Sequence, residues 1–130
     1  MENPSTGEQL GTISAAGLED INKAVKSAKA GFEAWKAVSG AARARILLKL
    51  ADLIERDAQD LASLEAVDSG TLFTDSMGLN IPQAVGCLRY YAGWADKIDG
   101  KTLELDGGIA YTHREPLGVC GAIVPWNAPL

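Results

Sequence analysis

Histidine is nearly absent from this chain: His113 is the only one in 130 residues. Cysteine is almost as scarce. Cys87 and Cys120 are far apart, with no histidine or second cysteine beside either. That sparsity excludes the paired-ligand spacing of a zinc site and gives a disulfide framework no support, so no metal site is expected. Two buried, reduced thiols are the simpler expectation. Basic residues are in the minority, 12 against 17 acids, for a net charge of -5 and a pI near 4.8. Such a balance offers no electrostatic footprint for nucleic acid or anionic lipid, and neither is expected as a partner. No apolar run approaches membrane-spanning length, and the polar opening MENPSTGEQL has no signal-peptide pattern. The default location is cytoplasmic, with a mitochondrial parent left open.

The remaining composition, 47% hydrophobic and 22% charged, is that of a globular domain. Asn3 to Glu8 reads as a turn, and Leu10 to Ala15 as a short strand candidate. In LEDINKAVKSAKAGFEAWKAV the apolar residues Ile21, Val25, Ala28, Phe32 and Trp35 fall on one stripe of a helix. Ser39 is placed to cap a second helical run, whose stripe comprises Leu47, Leu50, Ile54, Ala58 and Leu61. A break is expected near Asp57, which could cap a further segment that Gly70 closes. Another helix is expected from about Asn80 to Gly100, with Pro82 in its first turn and Ile81, Val85, Leu88, Tyr91, Ala95 and Ile98 facing inward. Trp35, Trp94, Tyr90 and Tyr91 read as packing residues.

Beyond Gly100 the period becomes alternating. KTLELD and IAYTHRE form a hairpin about Gly107-Gly108, with Leu103 and Leu105 on one face of the first strand and Ile109 and Tyr111 on one face of the second. His113 is expected to be solvated or at an interface. Val119 to Val124 does not alternate, as suits a strand buried on both faces of a parallel sheet. The fold class is therefore α/β. Trp126-Asn127 follows the carboxyl end of that strand, where open α/β sheets bind ligands. An asparagine amide there can donate to a developing oxyanion; ordinary turn chemistry is the competing reading.

REPLGVCGAIVPWNAPL, LRYYAGWADKIDGKTL, RARILLKLADLIERDAQDLASLEAVDSG and NPSTGE together resemble the N-terminal part of the NAD(P)-dependent aldehyde dehydrogenase superfamily. The resemblance implies a helical part of the cofactor-binding domain over 1–99, an oligomerisation hairpin over 100–118, and the first strand and turn of a Rossmann-like sheet over 119–130, incomplete as given. It implies NAD as cofactor, NADP being the alternative, with Ile123, Val124, Pro125 and Trp126 along it. Asn127 is implied as donor to the thiohemiacetal oxygen, a small-molecule aldehyde as substrate and a homo-oligomer as the assembled form. The nucleophilic cysteine, the general-base glutamate and most of the cofactor site are expected outside these residues, so Cys87 and Cys120 are not assigned that role. The isolated chain is therefore expected to be inactive, or to act as a non-catalytic partner of complete subunits through its hairpin. Ala128 departs from the aromatic residue more frequent in the family. Asp68 matches a cation-binding position of some members, or is a plain helix-end acid.

Overall fold

The computed structural model describes residues 1–130. Helix α1 spans Leu18–Lys36, and the Asp20 carboxylate at its start accepts the Gly17 N–H at 3.0 Å. Helix α2 spans Gly40–Arg56, with the Ser39 hydroxyl accepting the Ala42 N–H at 3.3 Å, the expected cap. Helix α3, Ala58–Ser69, begins at the expected break. Asp57 does not cap it: both its carboxylate oxygens are taken by the Arg56 guanidinium, at 2.8 and 2.6 Å. Gly70 closes α3 in the left-handed region (φ 76°), where its N–H reaches the Ala66 carbonyl.

The connection to the next helix is itself helical. A single turn, α4 (Phe73–Asp75), runs into a π-helical turn over Ser76–Asn80, and that passes without a break into α5, Ile81–Ala92. Pro82 lies in the first turn of α5, where its missing N–H costs nothing. The expected continuation to Gly100 does not occur. After Ala92 the bonds tighten to three-residue spacing, Trp94 to Tyr91 and Ala95 to Ala92. The reason is a competing partner: the Arg43 guanidinium of α2 donates to the Ala95 carbonyl at 3.2 Å. Gly40 makes this approach possible, because a Cβ there would stand 2.5 Å from that same oxygen.

Helices α2 and α5 form the main packed pair, around Ala51, Ile81 and Val85, with Ile54, Ala58, Leu61 and Leu88 against them. The small Ala51 side chain is fully buried where the two helices meet. Arg89 of α5 adds a fork to Glu55 of α2, at 2.9 and 2.6 Å, and reaches Asp52 at 3.2 Å. Elsewhere the apolar stripes lie open. Helix α1 buries no residue, and Trp35, Tyr90, Tyr91, Trp94 and Ile98 are exposed instead of packed. Both cysteines are exposed, contrary to the expected buried thiols.

The hairpin is present as β1 (Thr102–Leu105) and β2 (Gly108–Tyr111), antiparallel, with Leu103 opposite Ala110 and Glu104 opposite Ile109. Its turn is Asp106-Gly107 instead of Gly107-Gly108. Gly107, at φ 83°, supplies the positive angle a two-residue turn needs. Residues directly opposite share a face, so Leu103 and Leu105 lie on one side and Ile109 and Tyr111 on the other.

Two expected strands are missing. Leu10–Ala15 is not a strand; the local pairing is a single bridge between Glu2 and Gln9. Val119–Val124 has no strand partner, and the hairpin is the only sheet of the chain. A strand is defined by its neighbours' hydrogen bonds, and nothing in these residues offers Val119–Val124 a ladder.

Candidate functional site

From His113 to Leu130 the backbone makes no hydrogen bond to other backbone. Its one internal contact of this kind is the Cys120 thiol on the Gly118 carbonyl, at 3.7 Å. Gly118, at φ 95°, turns the chain into this stretch. Val119 and Cys120 lie beside the α1 stripe, sharing a shallow cavity with Ala28, Phe32 and Trp35. The chain then runs extended through Ile123, Val124 and Pro125 to a turn at Trp126-Asn127. Ile123 and Trp126 are among the most open of its large side chains, 104% and 84% exposed. Asn127 is exposed at the turn, with its amide free of any partner within the chain. The five proposed site residues, Ile123, Val124, Pro125, Trp126 and Asn127, are thus consecutive on one open ridge of apolar side chains and unpaired N–H and C=O groups.

Behind the turn stands a buried charged residue that the sequence reading missed. Glu65 of α3 is only 6% exposed, and no cation faces it. Its carboxylate accepts the Ser76 hydroxyl and the Asn80 amide, the latter at 2.8 Å, so both donors come from the π-helical turn. Ser76 is itself fully buried. The signal was present in the spacing: Glu65 follows Leu61 by one helical step and continues the apolar stripe of Leu50, Ile54, Ala58 and Leu61. Asp68 borders the same cavity of about 420 Å³ as Glu65, together with Leu61, Leu64, Pro129 and Leu130. No third His, Cys, Asp or Glu joins them in a group able to hold a metal. His113 is exposed on the way out of the hairpin.

The displaced pKa values belong to surface ion pairs remote from this turn. Hydrogen bonding to Arg56 holds the Asp57 carboxyl below its ordinary range, and Lys97 does the same for Asp96. Glu55, then Asp52, raises the Arg89 guanidinium. No helix is long and apolar enough to cross a membrane.

The family model described as "Aldehyde dehydrogenase family" matches residues 1–130. The mitochondrial aldehyde dehydrogenases of Equus caballus and Homo sapiens are each 48% identical over 132 residues, covering 98% of this chain and 26% of theirs. Aldehyde dehydrogenase from Bacillus cereus, solved as its NAD+ complex, superposes with a TM-score of 0.93 at 43% identity, over 98% of this chain and 27% of that one. PnpE from Pseudomonas sp. WBC-3 gives 0.92 at 44%, over 98% and 26%. The chain therefore spans about a quarter of the length of the relatives it matches. With the match running from the first residue to the last, the chain belongs to the aldehyde dehydrogenase family.

Proposed function

We propose that these residues form part of an NAD(P)-dependent aldehyde dehydrogenase, which oxidises aldehydes to carboxylic acids through a thiohemiacetal on a cysteine. The nucleophile is supplied from outside the 130 residues. Both thiols present are poor candidates: Cys120 donates weakly to the Gly118 carbonyl in an exposed strip, and Cys87 lies on α5 without a histidine near it in sequence.

The role assigned to Asn127 is to donate its side-chain amide to the oxygen that becomes negative when sulfur attacks the aldehyde carbon. An oriented amide dipole in a water-poor site is worth roughly 3 kcal/mol to such a transition state. The observation that carries this reading is the free Asn127 amide at the end of an apolar, hydrogen-bond-hungry segment. Collapse of the tetrahedral species releases a hydride and leaves a thioester, which water cleaves to the acid with the sulfur as leaving group. A bound nicotinamide dinucleotide supplies the hydride acceptor. The residues present suit such a ligand, since Ile123, Val124 and Trp126 offer an exposed apolar flank and their backbone groups are unpaired. The proposed division of labour is that Ile123 to Trp126 bind and orient while Asn127 holds charge.

A second reading rests on the hairpin. Leu103 and Leu105 lie on one face and Ile109 and Tyr111 on the other, the latter beside Thr102 and Glu104, so exposed apolar side chains occur on both sides of the strand pair. A hairpin with exposed apolar side chains on both faces is suited to packing against other surfaces, which favours a role in joining subunits into a homo-oligomer. Aldehyde-dependent reduction of NAD(P) tests the main reading. The purified 130-residue chain is expected to show none, while a longer subunit carrying the same segment turns over. Sustained turnover by the short chain alone contradicts the placement of the nucleophile.

A further inference from the structure

We propose that Glu65 is a positioning residue: its buried carboxylate clamps the π-helical turn to α3 and so fixes the wall on which Ala128–Leu130, and with them Asn127, are laid. The inference rests on the reading of Asn127 as oxyanion donor, and it concerns how that amide is held.

A buried carboxylate without a cation is costly unless hydrogen bonds replace its lost hydration. Here two donors do so, Ser76 and Asn80, one at each end of the π-helical turn. A π turn is a locally unfavourable geometry, found mainly where one extra residue re-aims a helix. Its closing bond runs from the Ile81 N–H to the Ser76 carbonyl. The clamp thus spans both ends of the least regular stretch of the helical region.

Two cavities flank the clamp. The one of about 420 Å³ brings Glu65 together with Pro129 and Leu130. The other, about 360 Å³, is lined by Glu65, Asn80 and Cys87 together with Ala128 and Leu130. Glu65 and Leu130 border both, so each of the three residues after Asn127 shares a cavity with the clamping carboxylate. The backbone of that segment has no bonds of its own to hold it, so its position depends on the wall. Releasing Ser76 and Asn80 lets the wall repack and the segment drift.

Cys87 allows a direct test in the full 130-residue chain. In a Cys120→Ser background, Ala128→Cys places a second thiol at the smaller cavity, and a short bis-maleimide, which adds one thiolate across each of its two double bonds, reports their proximity at low protein concentration. Bridging is expected to proceed readily with Glu65 present. Glu65→Gln keeps a carbonyl oxygen as acceptor and should retain most of that rate. Glu65→Ala should lose about tenfold, the factor that corresponds to losing roughly one hydrogen bond to a charged group. Val85→Ala, which weakens the core without touching the clamp, should stay within about twofold of the parent. If Glu65→Ala does not fold by circular dichroism, Asn80→Ala removes one arm alone and should still slow bridging measurably. Equal rates in Glu65→Ala and the parent, or no bridge in the parent, overturn the proposal. Failure of the Asn127 reading shows separately, as an Asn127→Ala subunit with unchanged kcat.

Discussion

Single residues in this chain are decided by space and by unsatisfied polar atoms. Gly40 has room for no side chain, since the Ala95 carbonyl and the Asp96 Cα lie 2.5 and 2.7 Å from where a Cβ would be. Gly40→Ala must push α2 from the end of α5, and should cost about 1–3 kcal/mol in urea unfolding. Gly70 is constrained differently. Its backbone is left-handed and Pro4 Cγ lies 3.2 Å from its missing Cβ, so Gly70→Ala should cost about 1 kcal/mol by the same assay. An unchanged midpoint for either would contradict the packing described.

Elements show why part of this fold was legible in sequence and part was not. The Ser39 cap, the break at Asp57, the Gly70 stop and the start of α5 with Pro82 in its first turn follow from interactions within a few residues, and all four stand. The end of α5 was missed because it is set by Arg43 and Gly40, more than fifty positions away in the chain. The hairpin was legible from its alternation. The two-sidedness of its apolar residues was not, because that follows from register, and register follows from which two residues make the turn. Val119–Val124 has the composition of a buried strand, yet composition cannot provide the neighbour that makes one. In the candidate site, the segment ending at Asn127 was singled out by its place after an apolar run and by resemblance, whereas Glu65 required noticing one charge on an apolar stripe.

The surface ion pairs give the elements a pH signature. The folded-state pKa of Asp57 is depressed, so its contribution is present above the ordinary aspartate pKa of about 3.9 and is lost as pH falls through the folded value. The pair is fully exposed, and salt should weaken it. In thermal melts, wild type should exceed Asp57→Asn slightly at pH 6, with the gap closing below about pH 4. A gap that widens on acidification would contradict the assignment.

At the scale of the whole molecule, the decisive quantity is surface. The chain exposes 10384 Å², against about 6,600 Å² for a compact monomer of its 13.7 kDa mass. Only 7 of 130 residues are buried, so the helices, the hairpin and the ridge share one need for cover. Self-association rising with concentration is the expected behaviour of the chain alone, measured by sedimentation velocity. Ile109→Thr with Tyr111→Ser, which makes one hairpin face polar, should shift it towards monomer. A chain that stays monomeric and melts cooperatively at high concentration would contradict this reading of its surface.

The central proposal is that the side-chain amide of Asn127, exposed at the turn that ends the ridge, donates to the reacting oxygen. The most direct test is the steady-state kinetics of Asn127→Ala in an aldehyde dehydrogenase subunit carrying this segment. A fall in kcat of roughly 10²–10³-fold with little change in KM is the result expected for a lost oxyanion donor. An undiminished kcat would contradict the role given to Asn127.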